Sequence, residues 1–417
     1  MLNRIKPKSD FVKSVMLLMT GTSVAQVIPL AITPILTRIY SPSDFGLFAL
    51  YTALVAVFSV VCTGRYELAI LLPNRQKDAI NVMFVALLVT ILSSICIFML
   101  VAFFSHEIAV FLGQEGIETW LYIVPIATML TGCYQSINYW QNRQKRYLHL
   151  AQNRVVKSTG SSGGQLALFP TNSVSGLILG SLVGLILGIG LFIRELLKRD
   201  KAILTSFRIA QAFKLAKKYS KFPLLDGPSS VLNIMANQAP NILLSTLYSP
   251  TVAGFYYLTQ KTLQIPITLI STSILDVFKQ KAAEDYKKGN SRVIYIKTLK
   301  ALFIMGLPPT LVLYFTVEYL FSIVFGPEWT TAGLYAKLLL PALFLRFMAG
   351  PLSFMLYIAE KQTWNLMCMI ALFSMIMLSL FYFDSETMSI FAISVSFSLY
   401  YGVHLLLSYI LTKPKSV

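Results

Sequence analysis

Charge is scarce in this chain, and acid is the scarcer sign. Only 13% of its 417 residues are charged, with 18 Asp and Glu against 35 Lys and Arg, while 56% are hydrophobic and the mean hydropathy is +0.67. A water-soluble core has no room for apolar runs that reach the roughly 20 residues a helix needs to cross hydrocarbon, so a soluble domain is excluded. Cysteine is sparse too: Cys62, Cys96, Cys133 and Cys368 stand in separate apolar stretches without a CxxC pair, and read as small buried hydrophobes rather than disulfide or metal ligands. His106, His149 and His404 are dispersed without metal-ligand spacing, and no Ser-His-Asp grouping falls on one side of a membrane. A GxxxxGK[ST] phosphate loop is missing, which excludes ATP hydrolysis at a Walker-type site. The residues therefore indicate no metal, no cofactor and no catalysis. Energy for transport, where required, has to come from a proton or sodium gradient or from the cargo's own concentration difference.

Basic charge, by contrast, is abundant and sorted. All Lys and Arg except Arg38, Lys261, Lys337 and Arg346 fall in seven clusters: the N-terminus (Arg4, Lys6, Lys8, Lys13), Arg65 to Lys77, Arg143 to Lys157, Arg194 to Lys221, Lys279 to Lys300, Lys361, and the tail with Lys413 and Lys415. Successive clusters are separated by two apolar passes, and the intervening connections carry Asp44, Glu107, Glu115, Glu118, Glu318, Glu328, Asp384 and Glu386 without Lys or Arg. That is the positive-inside pattern of a polytopic membrane protein with both termini cytoplasmic. The formal charge of +17 reports topology, and no nucleic-acid partner is expected. The apolar stretch after Lys8 runs to Ile39 without a convincing cleavage site and reads as a retained first span.

Hydropathy, broken at charge, Pro and Gly, predicts spans at about 12–39, 44–64, 78–104, 118–140, 149–170, 173–194, 222–248, 252–278, 298–322, 331–358, 363–383 and 388–411. The fifth is the poorest, because Arg154, Lys157 and the small-residue run Ser158 to Gly164 dilute it; the later basic clusters reach the cytoplasmic side only if it crosses. The expected fold is all-α, with about twelve transmembrane helices in two six-helix lobes: 1–200, a basic cytoplasmic linker 201–221, and 222–417. Tyr40-Ser41-Pro42, Gly46 and Leu50 recur 208 residues later as Tyr248-Ser249-Pro250, Gly254 and Leu258, at matching places in the two sets of spans. Duplication explains this, and an even number of spans per copy gives a parallel pseudo-twofold along the membrane normal, with two lobes around a central cavity.

Two polar features mark the spans. Asp226, Ser230, Asn233, Asn237, Asn241 and Ser245 recur every three or four residues and form one stripe along the seventh span. Such a stripe either bonds to neighbouring helices or lines a water-filled lumen. Thr22, Gln26, Thr33 and Thr37 repeat the theme more weakly in the first span, and both spans contain prolines (Pro29, Pro34, Pro228, Pro240) that allow bending. The second feature is the four cations outside the clusters. Each costs about 2.5–3.5 kcal/mol at the bilayer centre, so their retention points to an anionic cargo such as a phosphate or pyrophosphate. Lys261, flanked by Gln260 and Gln264, is the first candidate and Arg346 the second. Lys337 lies about half a helical turn out of phase with Arg346, so a straight span does not aim both inward. For Lys337 and Arg38, near span ends, snorkelling to the interface is the competing reading.

Phe45-Gly46-Leu47-Phe48-Ala49-Leu50, with Gly64-Arg65-Tyr66-Glu67-Leu68-Ala69-Ile70-Leu71-Leu72-Pro73, resembles the second span and following loop of the polysaccharide transporters, the Wzx-type O-antigen and repeat-unit flippases of the MOP superfamily. Tyr139-Trp140-Gln141-Asn142-Arg143-Gln144-Lys145-Arg146, Lys221-Phe222-Pro223-Leu224, and Gly254-Phe255-Tyr256 through Pro266 add to the resemblance in both halves. It implies an inner-membrane protein of bacteria that moves an undecaprenyl-diphosphate-linked glycan of lipopolysaccharide or another surface polymer to the periplasmic leaflet. A polysaccharide polymerase and a chain-length regulator would be its partners, besides membrane lipids. Arg65, Lys261 and Arg346 would attract the diphosphate, and Asn233, Asn237 and Asn241 would bond sugar hydroxyls. The family usually has Arg at the position of Lys261, and a more apolar fifth span. Two rival functions share features with this chain. A MATE-like cation-coupled drug exporter needs a deep carboxylate, for which only Asp226 qualifies. An inner-membrane polysaccharide polymerase or ligase tends to carry a large periplasmic loop, and the outer connections here are short.

Overall fold

In the computed structural model, residues 10–171 and 174–413 are described, and Arg4, Lys6, Lys8 and Lys415 lie outside them. Among the described residues are twelve helices of 21 residues or more: α1 (Asp10–Leu36), α2 (Pro42–Cys62), α3 (Gln76–Phe111), α4 (Ile123–Arg143), α5 (Tyr147–Ala167), α6 (Val174–Arg199), α7 (Gly227–Leu247), α8 (Pro250–Lys287), α9 (Ser291–Phe325), α10 (Thr330–Leu352), α11 (Gln362–Tyr382) and α12 (Glu386–Ile410). Each corresponds to one expected span. Eight are long and apolar enough to cross a membrane by length and composition alone, and the chain is a multi-pass membrane protein. The other four, α4, α5, α7 and α8, are the ones diluted by polar residues. The basic segment 279–300, expected as a connection, is instead helical extension of α8 and α9 around the turn Lys288–Asn290.

The poorly apolar fifth span is a full helix because its small residues let backbones meet. A Cβ on Gly184 would lie 2.3 Å from the Lys157 carbonyl oxygen and one on Gly180 would lie 2.3 Å from the Gln165 nitrogen, so α5 and α6 pack at a distance that only glycine permits. What weakens the hydropathy signal of α5 is what holds it in place.

The chain folds as two compact units, one of residues 1–40 and 47–238 and a second of 41–46 and 239–417. The division falls inside α7. The segment 201–221, expected as a linker, carries a helix, Ile209–Lys218, that packs on α3 through Ala212 and Leu215. In the first unit α5 lies against α1 and α6, and α4 against α3 and α6. In the second, α10 is central, packing on α8, α9 and α12 around buried Tyr256, Tyr335, Leu339 and Ile393.

Within the second unit the repeated motif meets its copy. A Cβ on Gly46 would come within 1.7 Å of the Pro250 oxygen, and one on Gly254 within 1.9 Å of the Pro42 oxygen. Each glycine faces the proline of the other copy, the exchange that a twofold relation between the copies produces. Phe45 and Phe255, the neighbours of these glycines, both place edges against Trp329, with centroids 5.0 and 5.8 Å away.

Candidate functional site

Arg346 lies in the C-terminal third of α10, the central helix of the second unit. It lines two cavities: a small one of about 30 Å³ with Tyr256, Gln260, Gln264 and Tyr401, and one of about 180 Å³ with Thr268, Ser271 and Thr272. Several of these groups bond to their own helix, since Thr268 Oγ1 donates to the Gln264 carbonyl and Thr272 Oγ1 to that of Thr268. Among the described residues no carboxylate forms an ion pair with Arg346. A half-buried guanidinium without a carboxylate partner, in a recess lined by both polar and apolar side chains, can hold an anion through five donors in a fixed fork. Lys261 is on the same helix as Gln260 and Gln264, half-buried, and its Nζ stands 5.8 Å from the Tyr257 ring centroid. It does not line either cavity with Arg346.

The remaining cations behave differently. Lys337 donates to Glu318 Oε1 on α9 at 2.8 Å and lies 5.5 Å from the Tyr314 centroid. Its charge is matched, and it lines neither of the Arg346 cavities, in keeping with the phase argument. Arg38 is exposed in the turn after α1.

Arg65 is also compensated. Gly64 and Arg65 both take positive φ, 53° and 59°. The left-handed conformation costs an arginine about 1–2 kcal/mol, and ion pairs offset that cost. Nε reaches Asp226 Oδ2 at 2.7 Å and Nη1 reaches Glu67 Oε1 at 3.4 Å. Asp226 closes the single π turn Phe222–Asp226 that leads into α7. Glu67, in the connection between α2 and α3, is 1% exposed and one of its oxygens has no hydrogen-bond partner. Burial pushes its carboxyl above the ordinary range, with Arg65 opposing. A group whose folded pKa is raised stabilises the fold fully below its unfolded pKa, near ~4.3, and loses that contribution as pH climbs through the folded value. Glu67→Gln removes this loss. The variant's thermal midpoint in detergent should exceed wild type at pH 8, and the gap should close toward pH 4; a lower midpoint at pH 8 would mean that the pair with Arg65 outweighs burial.

The polar stripe of α7 divides in two. Asn241 and Ser245 are buried, and Asn241 Nδ2 donates to Gln260 on α8 at 3.2 Å, the interhelical role. Asn233 and Asn237 are exposed and bond to one another along the helix, leaving a polar face. Thr22 and Thr33 in α1, and Thr37 in the turn after it, return their hydroxyls to the carbonyls of Leu18, Pro29 and Pro34. Gln26 between them is half-buried, with its Oε1 unpartnered.

Arg154 and Lys157, which end a basic cluster and also fall in the expected fifth span, lie inside α5. Lys157 is ten residues from the helix start, about 15 Å along the axis. Its Nζ sits 4.3 Å from the Tyr134 centroid, and Arg154 donates to Thr22. Interruption of the fifth span by two cations was the available signal. The segment Trp140 to Arg146, by contrast, is a clamp. Trp140 Nε1 and both terminal nitrogens of Arg146 donate to buried Asp200 at 2.7–2.9 Å, and Arg143 donates to the carbonyls of Ile70, Leu71 and Pro73. One motif thus fixes the other. Among the described residues no group of three or more His, Cys, Asp or Glu is placed to hold a metal ion.

The family profile described as "Polysaccharide biosynthesis protein" matches residues 35–333. No curated protein sequence matches the chain significantly. Its fold is similar to that of solved MATE structures. An inward-facing multidrug resistance MATE family transporter of the MOP superfamily is 15% identical, with TM-score 0.62, over 94% of this chain and 93% of the other. The MATE multidrug transporter DinF-BH is 14% identical with TM-score 0.63 over 95% and 94%. A MOP superfamily transporter from Pyrococcus furiosus, described by a binding pocket of reversed polarity, is 14% identical with TM-score 0.59 over 95% of each chain.

Proposed function

We propose that this chain, which belongs to the polysaccharide biosynthesis protein family, carries an undecaprenyl-diphosphate-linked oligosaccharide from the cytoplasmic to the periplasmic leaflet of a bacterial inner membrane. The repeat unit of an O-antigen or another surface polysaccharide is the cargo. The observation that supports this reading is Arg346, a cation without a carboxylate partner in a recess that also holds Gln260, Gln264, Thr268 and Thr272 within a membrane-embedded helix bundle. A neutral or cationic cargo gives no reason to keep it there, whereas a diphosphate does. Lys261, Arg154 and Lys157 add positive charge within the spans, and Asn233 and Asn237 offer amides to sugar hydroxyls. An apolar cavity of about 190 Å³, lined by Ile267, Met305, Phe344 and Phe347, shares Ile267 with the Arg346 recess and suits a prenyl segment. Transport proceeds by alternating access, the head group crossing through polar surroundings while the polyprenyl tail stays in lipid.

The drug-exporter reading loses its principal support, because Asp226 is already held by Arg65. The test is reconstitution. Proteoliposomes containing a labelled polyprenyl-diphosphate glycan should expose the label in the opposite leaflet at a rate above protein-free vesicles, and a proton or sodium gradient should reveal the coupling. Equal exposure in both preparations, with a cationic dye exported instead, would overturn the proposal.

A further inference from the structure

The start of α3 and the start of the helix Ile209–Lys218 meet on the face where the basic clusters place the cytoplasm, and they enclose a polar cavity of about 420 Å³. Its walls carry Arg75, Lys77 and Arg208, with Asn81, Thr205, Ser206 and Gln211 between them. The two starts are tied together: Arg208 N–H donates to Asn81 Oδ1 at 2.9 Å, Asn81 Nδ2 to the Ser206 carbonyl at 3.3 Å, and Gln211 Nε2 to Asp78 Oδ1 at 2.9 Å. Asp78, the one acid in the wall, is engaged by Gln211. None of the three cations forms an ion pair among the described residues.

Two helix starts tied together, a surplus of two positive side chains and the Ser206 hydroxyl make a recess for an anion with several acceptor oxygens. The volume decides the size: about 420 Å³ falls within the range of small-ligand sites, far above what one water needs. The first turns of two helices add unpaired N–H groups of the same sign.

We propose that this recess binds a phosphate-bearing headgroup, either that of an anionic phospholipid of the adjacent leaflet or a soluble phosphate compound. The site lies in the first unit and does not depend on the transported cargo. Bound phosphate would hold the Ile209–Lys218 helix against α3 by bridging Arg75 and Arg208.

The test uses the purified full chain in a neutral detergent. Its thermal midpoint is titrated with dihexanoyl phosphatidylglycerol, with inorganic phosphate, and with dihexanoylglycerol as the phosphate-free control. Wild type should be stabilised by at least one phosphate probe and not by the control. In Arg75→Gln/Arg208→Gln the apparent dissociation constant should rise roughly thirty-fold, each lost cation near a phosphate surface being worth about 1 kcal/mol. Both side chains are exposed, so the variant should fold; Lys77→Gln gives a second variant with a smaller shift. Response to phosphatidylglycerol alone assigns the lipid as the source, and response to inorganic phosphate assigns a soluble compound. No response to either phosphate probe, or an unchanged constant in the double variant, overturns the proposal.

Discussion

Under the proposed function, Arg346→Ala should lower translocation of the lipid-linked glycan by about 100-fold or more, while the protein still inserts and folds. Two charge-assisted hydrogen bonds to a diphosphate are worth about 1.5–3 kcal/mol each, which sets that scale. The accompanying stability change separates this role from a structural one. Removing a half-buried guanidinium that has no carboxylate partner relieves desolvation, so the thermal midpoint should stay level or rise. Arg346→Lys should keep part of the rate, because it retains the charge and loses the planar fork. Lys261→Ala should weaken transport on its own, and its effect in combination with Arg346→Ala should be less than multiplicative if both contact one diphosphate. Translocation at the wild-type rate in Arg346→Ala would remove this side chain from the mechanism.

Asp200→Ala should produce the largest loss of stability. Asp200 is 2% exposed and accepts from Trp140 Nε1 and, in bidentate fashion, from Arg146. The substitution leaves the mostly buried Arg146 uncompensated and the Trp140 N–H without an acceptor, which costs about 3–5 kcal/mol. A membrane protein of ordinary stability has little to spare beyond that. Little folded protein should be recovered, as measured by the monodisperse fraction on fluorescence-detected size-exclusion chromatography. Asp200→Asn, which keeps an acceptor and the shape, should fall between. A variant as abundant and as heat-resistant as wild type would show that water or a shifted Arg146 replaces the carboxylate.

Span number was readable because it depends on a local quantity. The length of an apolar run is set by hydrocarbon thickness. Hence all twelve expected spans have helices, including α5, whose glycines and serines lower its hydropathy and also seat it on α6. The offset repeat of Tyr40-Ser41-Pro42 and Gly46 was legible as a copy, and the copies turn out to face each other through Pro42 and Pro250. In the segment 201–221 the basic residues conceal that Ala212 and Leu215 form an apolar stripe packed on α3.

The sequence by itself determined that this is a membrane-spanning helical protein with more positive charge in its spans than acid to match it. Only the tertiary structure decided which of those cations is free to meet a ligand. Arg65 finds Asp226 across 161 residues of chain and Lys337 finds Glu318 on another helix, while Arg346 meets glutamines and hydroxyls, and Lys157 lies over an aromatic ring. Charge is a property of a residue, but compensation belongs to a pair, and the pair exists only once helices distant in the chain have packed.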